Sequence, residues 1–177
     1  MFLAVRVHLC IAALATVLAA ASPATFAQAT NQPPTSAQIR LAVERAGRSG
    51  ALWATVNICN TRRYPDRLGI RGQMPSLGFA ASLSMDIQVD YLPSAGNRFK
   101  PIPGARQRIE LRSTSGLRQE GANWSFPSHT GILSGTITFE WSLAGRVLAH
   151  VTRPTTTGHP DADFGSPPHF SAAQCTI

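Results

Sequence analysis

The chain has 177 residues, of which 44% are hydrophobic, and its formal net charge is +7. This length is enough for one domain with a buried core. After the first 29 residues, no segment approaches the ~18 uninterrupted apolar residues of a membrane-spanning helix, so we expect no such helix in that part of the chain. The positive charge favours anionic partners modestly. A bias toward arginine in the coding composition explains it as simply, since Lys100 is the only lysine.

The first 29 residues predict a secretory signal peptide. Arg6 and His8 provide a short cationic start, and an apolar run follows over residues 9–21. Small residues then allow cleavage after Ala27 or after Ala29. We therefore expect an exported protein that works outside the cell or in the cell envelope, with no membrane span once the signal is removed.

Two cysteines remain after this segment, Cys59 and Cys175. Export places them in an oxidising compartment, which favours a disulfide bond between them. Such a bond closes a loop of more than a hundred residues, for which the chain-entropy model gives ~4–5 kcal/mol of stabilisation. No CxxC pair and no Cys–His spacing indicates zinc, and we expect no cofactor.

Residues 30–50 predict a polar tail followed by a short helix. Thr35 and Gln38 form a capping-box pattern, and Gly47 is a natural stop. Between them, small or aliphatic residues recur at helical spacing, namely Ile39, Ala42, Val43 and Ala46. Half of this stripe is alanine, so we expect the helix to lie against a domain and not to form part of its core.

Residues 51–177 predict a single all-β domain. Short runs of alternating or β-branched residues are separated by Gly and Pro, and they predict strands at 51–59, 67–74, 84–91, 106–112, 137–141, 146–153 and 171–177. About seven or eight short antiparallel strands after a helix favour an immunoglobulin-like β-sandwich. A small β-barrel is the alternative.

The hairpin after Gly135 allows two registers. A three-residue turn pairs Trp141 with Val147, and a two-residue turn pairs it with Leu148. We predict the first, because it keeps apolar residues opposite apolar residues. This register turns His150 outward, beside Thr138.

No catalytic motif stands out. The chain has no G-x-S-x-G elbow, and its acids lie mostly on the polar faces of predicted strands. One loop collects four side chains of the kinds that bind metals or move protons, namely His159, Asp161, Asp163 and His169. Asx turns explain the two aspartates as simply. We expect no enzyme and assign no catalytic or metal-binding residue.

Two basic patches are candidate binding surfaces. The first is a loop that joins cations to an aromatic ring and comprises Arg62, Arg63, Tyr64 and Arg67. The second is the polar face of a predicted strand and comprises Arg106, Arg108 and Arg112. Arginine recognises phosphate and carboxylate groups well. A solvated loop and a charged edge strand are the simpler readings. Nucleic acid is not expected as a partner, because no aromatic-interleaved platform is present.

Two short phrases, one in the first predicted strand and one at the C-terminus, resemble phrases of known proteins. The phrases LWATVNICN at 52–60 and SAAQCTI at 171–177 resemble those of a set of exported bacterial proteins of uncharacterised function. The resemblance implies an exported domain with a single disulfide bond, and it implies no active site.

These observations together favour an exported, non-catalytic module at the cell surface or envelope. Its expected partner is an anionic envelope polymer or another exported protein. One alternative is a secreted hydrolase that uses the 159–169 loop. Another is an inhibitor or partner-binding protein that presents the 61–67 loop.

Overall fold

The computed structural model describes residues 33–113 and 115–177, with the side chains of 112 and 113 left out. The predicted signal peptide lies outside the described residues. Residues 33–177 form one compact unit. The helix, all eight strands and the disulfide bond fall within this unit, which therefore has the core and the crosslink of an independent domain.

The described residues form one helix and eight strands. The helix, α1, spans Ser36–Gly47. The strands are β1 Trp53–Cys59, β2 Arg67–Pro75, β3 Ala81–Tyr91, β4 Lys100–Ser113, β5 Leu117–Ser125, β6 Ile132–Leu143, β7 Arg146–Pro154 and β8 Cys175–Thr176. No helix in the described part of the chain is long and apolar enough to cross a bilayer.

The strands form two antiparallel sheets. Sheet A has the order β1-β2-β5, and sheet B has the order β4-β3-β6-β7, with β8 paired to the start of β6. The chain changes sheet between β2 and β3, between β4 and β5 and between β5 and β6. The predicted all-β sandwich is confirmed, and the alternative of a closed barrel is excluded.

The core lies between the sheets because the inward faces carry the apolar half of each alternating pattern. On β3, Met85 and Ile87 are fully buried, whereas Asp86 between them points to the outer face. Phe139 and Trp141 of β6 are also fully buried. The indole N–H of Trp141 donates to the Pro75 carbonyl at 2.9 Å, so this large side chain is buried without an orphaned donor.

Helix α1 packs on its own domain. Its capping box is present as predicted: Thr35 Oγ1 accepts from the Gln38 N–H, and Gln38 Oε1 accepts from the Thr35 N–H. Ala46 is buried in the core, so the helix contributes slightly more to the core than its alanine-rich stripe suggested. Arg153 of β7 donates to the Gly47 carbonyl at 2.9 Å and holds the end of the helix.

The predicted disulfide bond joins the two sheets. Cys59 at the end of β1 is bonded to Cys175 in β8, with Cα atoms 5.4 Å apart. Because Cys175 also pairs with Leu133 near the start of β6, the disulfide bond holds the end of β1 in sheet A beside the start of β6 in sheet B.

The predicted register of the β6–β7 hairpin is wrong. Ala144 and Gly145 both have positive φ, as a two-residue type I′ turn requires. Trp141 pairs with Ala149, because a β-bulge on β7 adds one residue beyond the turn. Neither simple register allowed for that extra residue.

The bulge leaves His150 on the outer face but changes its neighbour. His150 is exposed, as predicted, and lies opposite Glu140. Thr138 instead pairs with Thr152, and their hydroxyl oxygens are 2.9 Å apart.

A long segment after β7 covers the free edge of β1. We call residues 155–174 the strap. Its Ala172 exchanges two backbone hydrogen bonds with Val56, and its Ser166 N–H donates to the Asn57 carbonyl. An edge that would otherwise present unpaired N–H and C=O groups is thereby satisfied.

Candidate functional site

The topology brings three loops to one end of the sandwich. The connections β1–β2, β3–β4 and β5–β6 occupy residues 60–66, 92–99 and 126–131. The Phe126 N–H donates to the Asp66 carbonyl and so joins two of these loops. The Leu92 N–H donates to the carbonyl of Ile132, the first residue of β6, and ties the third loop to the same end. We call this the cationic end, for the charges described below. Helix α1 lies at the opposite end.

The β1–β2 loop places two guanidinium groups near one aromatic ring. The Cζ atoms of Arg63 and Arg67 lie 5.4 and 5.5 Å from the centroid of the Tyr64 ring. Thr61 and Tyr64 exchange two backbone hydrogen bonds, and Thr61 Oγ1 also accepts from the Tyr64 N–H. These bonds fix the ring in place, and cation–π attraction orients the two arginines around it.

The loop owes its shape to two residues with positive φ, Asn60 and Asp66. Asparagine and aspartate tolerate this left-handed conformation better than other non-glycine residues. Asn60 Oδ1 accepts from the Asp66 N–H at 2.9 Å, which closes the loop. The Asp66 carboxylate accepts from Ser128 Oγ at 3.0 Å, so the one acid of this loop is engaged with the neighbouring loop.

The positive charge of this end is not balanced by ion pairs. Arg62 and Arg63 are exposed, and Arg67 is half-buried. Arg98 on the β3–β4 connection and Lys100 at the start of β4 lie at the same end. Within residues 33–113 and 115–177, none of these five cations has a carboxylate within 4.0 Å.

The β4 arginines have a different environment. Both oxygens of Asp86 accept hydrogen bonds from Arg106, one of them at 2.7 Å. Arg108 donates to Glu110 at 2.6 Å and to Glu140 at 2.8 Å. The hydrogen bond from Arg106 lowers the pKa of Asp86. These two arginines are therefore neutralised by three acids on the outer face of sheet B.

The two predicted patches are not brought together. Arg106 and Arg108 lie on the outer face of sheet B, away from the loop that carries Arg62, Arg63 and Arg67. The backbone of Arg112 pairs with Ser82 near the end of β4, and its side chain lies outside the described residues.

The 159–169 loop has a structural explanation for its histidines. The ring of His159 stacks on Trp53 with centroids 4.5 Å apart and planes 13° from parallel. Its Nε2 lies 2.9 Å from Thr156 Oγ1. Burial lowers the pKa of His159. His169 Nδ1 lies 3.1 Å from the Pro160 carbonyl, so both rings interact within the strap or with the strand beneath it.

The aspartates of this loop are held through their backbone. Gln119 of β5 donates to the Asp161 carbonyl and accepts from the Asp163 N–H. In the part of the chain that the structure describes, no three His, Cys, Asp or Glu side chains are grouped so as to hold a metal ion.

Buried polar side chains form a layer beneath the strap, and no pattern in the sequence predicted it. Arg71 of β2 is only 9% exposed. Its guanidinium lies 5.0 Å from the Phe164 ring and 4.0 Å from the Glu120 carboxylate. Burial lowers the pKa of Arg71. Alternation along β2 places Arg71 on the outer face, but only the position of the strap makes that face buried.

Two atoms of this layer, Arg71 Nε and Asn57 Oδ1, are buried without a hydrogen-bond partner. Asn57 does donate from Nδ2 to the Asp163 carbonyl at 2.9 Å. An orphaned buried polar atom costs about 1–3 kcal/mol. The contact between this part of the strap and sheet A therefore stabilises the fold less than an equal area of the apolar core does.

Comparison with known proteins assigns no family: no family model, no curated protein and no solved structure matches the chain.

Proposed function

We propose that this protein is an exported, non-catalytic module that binds anionic polymers at the cell surface or envelope through its cationic end. The observation that carries the proposal is the contrast between two sets of arginines. Those of β4 are neutralised by Asp86, Glu110 and Glu140, whereas Arg62, Arg63 and Arg67 are not paired with acids in the described residues.

The chemistry of the loop suits phosphate or carboxylate groups. A guanidinium donates two parallel hydrogen bonds to such a group, and it is more weakly hydrated than an ammonium. Tyr64 holds Arg63 and Arg67 close to one ring, so less side-chain freedom is lost when an anion binds. Successive charges of a polymer then reach Arg98 and Lys100 at the same end.

The proposal is tested by measuring the affinity of residues 30–177 for polyphosphate and for polyglutamate, at about 50 mM and about 500 mM salt. Neutral dextran serves as the uncharged polymer. Arg62→Gln/Arg63→Gln/Arg67→Gln is compared with a variant that removes three unpaired arginines elsewhere, Arg40→Gln/Arg45→Gln/Arg146→Gln. Both variants lower the net charge by the same amount, so only the position of the lost charge differs.

We expect binding to at least one of the two polyanions to fall steeply with salt, because bound cations of the polymer are released on association. We also expect the loop variant to lose about tenfold or more in affinity, from charge-assisted contacts of about 1.5 kcal/mol or more each. Equal losses in the two variants would reduce the effect to net charge and would contradict the proposal. Binding of neither polyanion at low salt would also contradict it.

A further inference from the structure

The opposite end of the sandwich exposes aliphatic side chains around helix α1. Leu41 is 55% exposed, Leu117 is 53% exposed and Val147 is 50% exposed. They come from three different segments: the outer side of the helix, the start of β5 and the start of β7. We call this surface the helix end.

A cleft of about 350 Å³ lies on one side of the helix. Its apolar lining comes from Ala42 and Ala46 of α1, from Leu77 after β2 and from Leu117 of β5, and the guanidinium-bearing Arg45 also borders it.

A second cleft, of about 670 Å³, lies on the other side, between α1 and β7. Aliphatic side chains line it from the helix and from the strand, namely Ile39, Val43, Val147 and Leu148. Arg40, Arg48 and Arg146 border the same cleft. Both clefts thus combine aliphatic side chains with arginine, and the second also has one acid, Glu44.

The charge of the helix end is positive. Arg48 forms an i,i+4 ion pair with Glu44 at 3.1 Å. Arg40, Arg45 and Arg146 are exposed, and no carboxylate of the described residues lies within 4.0 Å of them. Arg45 borders one cleft with Leu117 and another with Leu41. Arg40 and Arg146 border the cleft that Val147 lines.

We propose that the helix end is a docking surface for a bilayer that contains anionic phospholipid. At a bilayer interface, aliphatic side chains enter the acyl boundary while arginines on their long stems reach the headgroup phosphates. A soluble anion would use the arginines and leave Leu41, Leu117 and Val147 in water. An apolar protein surface would cover the leucines and leave Arg40, Arg45 and Arg146 without counter-charges.

This inference does not depend on the proposed function, because it concerns the other end of the molecule and different residues. Each Lys or Arg near an anionic membrane surface contributes about 1 kcal/mol, which is about fivefold in partition coefficient. Binding that combines this term with the burial of three aliphatic side chains should respond both to lipid charge and to apolar substitution.

The experiment is co-sedimentation of residues 30–177 with large unilamellar vesicles of phosphatidylcholine, with and without about 30 mol% phosphatidylglycerol. Leu41→Gln/Leu117→Gln/Val147→Thr removes the aliphatic contact, and Arg40→Gln/Arg45→Gln/Arg146→Gln removes the charge. The matched controls lie at the cationic end: Ile132→Thr, whose side chain is 37% exposed, and Arg62→Gln/Arg63→Gln/Arg67→Gln. Thermal unfolding of each variant confirms that it is folded.

We expect binding to the phosphatidylglycerol vesicles and little to phosphatidylcholine alone. Each helix-end variant should lose about tenfold or more in partition coefficient. Ile132→Thr should bind as the unsubstituted protein does, and the Arg62/Arg63/Arg67 variant should lose clearly less than the Arg40/Arg45/Arg146 variant of equal charge.

Equal binding to both vesicle types, or no change in the aliphatic variant, would overturn the proposal. So would a stable dimer in light scattering that the aliphatic variant dissociates, because that result would assign the surface to a second copy of the chain. Loss of binding in the Arg62/Arg63/Arg67 variant alone would assign the membrane contact to the cationic end and would also overturn it.

Discussion

The indole of Trp53 and the imidazole of His159 are stacked 4.5 Å apart, although the two residues are more than a hundred positions apart in sequence. Trp53 opens β1 and points away from the main core, toward the outer face of sheet A. His159 belongs to the strap. The stack therefore holds the strap on sheet A, next to the polar layer formed by Arg71 and Asn57.

The first prediction concerns pH. Burial lowers the pKa of His159 below its ordinary value of 6.5, so the unfolded chain binds more protons than the folded one between those two values. The stability that His159 contributes is thus present above 6.5 and is lost as pH falls through the lowered value. His159→Phe keeps an aromatic ring and removes the titration. We expect its unfolding free energy to depend less on pH over this window.

Urea unfolding at about pH 7.5, 6 and 5 measures this difference. His150→Gln is the control, because His150 is exposed on the outer face of sheet B. Parallel pH profiles for His159→Phe and the unsubstituted protein would contradict the assignment.

The second prediction concerns Asp90, a buried acid of β3. Burial raises its pKa, although Thr136 Oγ1 donates a hydrogen bond to it at 3.2 Å. The folded state therefore binds the proton more tightly, and the contribution of Asp90 to stability falls as pH rises through the raised pKa. Asp90→Asn keeps an acceptor for Thr136 and carries no charge. We expect a higher midpoint of thermal unfolding at about pH 7 and no gain near pH 3. An equal gain at both pH values would point to packing instead of charge.

The third prediction concerns the disulfide bond. Cys59 and Cys175 are 116 positions apart, so the crosslink restricts most of the domain in the unfolded state. Cys59→Ser/Cys175→Ser should lower the free energy of unfolding by about 4–5 kcal/mol on the chain-entropy model. Equilibrium unfolding in urea tests this, and addition of a reductant should change the unsubstituted protein but not the serine variant. A loss below about 1 kcal/mol would mean that sheet contacts alone close the loop.

The fourth prediction concerns the close approach of β5 to β2. A Cβ atom at Gly121 would lie 2.2 Å from the Ile70 carbonyl oxygen, and a backbone atom in a sheet cannot move aside cheaply. Gly121→Ala should therefore destabilise the domain by about 1–3 kcal/mol, the usual cost of overpacking. Gly50→Ala is the matched control, since nothing lies within 4 Å of its Cβ position. Similar unfolding midpoints for the two variants would show that β5 shifts to accommodate the methyl group.

Strand β5 shows why sequence patterns missed one element. Gly121 interrupts its pattern, and its outer face carries Gln119 and Asn123 without a clean alternation of apolar residues. Trp124 is half-buried and packs against the core opposite Leu68. Pairing with β2 along its whole length makes this segment a strand, and that pairing is a long-range contact.

The features that were predicted correctly all depend on neighbours in sequence or on one unique pairing. The capping box of Thr35 and Gln38 needs only a turn of helix, the alternation along β3 needs only the pleat, and two cysteines after residue 29 allow one disulfide bond. These determined the helix, most of the strands, the sandwich class and the crosslink.

The tertiary structure alone decided which polar side chains are neutralised, covered or free. Arg62 and Arg106 are both exposed arginines by pattern, yet only Arg106 lies beside a carboxylate. The β3–β4 pairing places Asp86 diagonally across from it, two residues from its direct partner Gln88. In the same way, the strap covers Trp53 and Arg71 by contacts between segments far apart in sequence. The sequence determines which side chains are charged. Whether each one has an oppositely charged neighbour, and whether it is buried, depends on which distant segments the fold brings together.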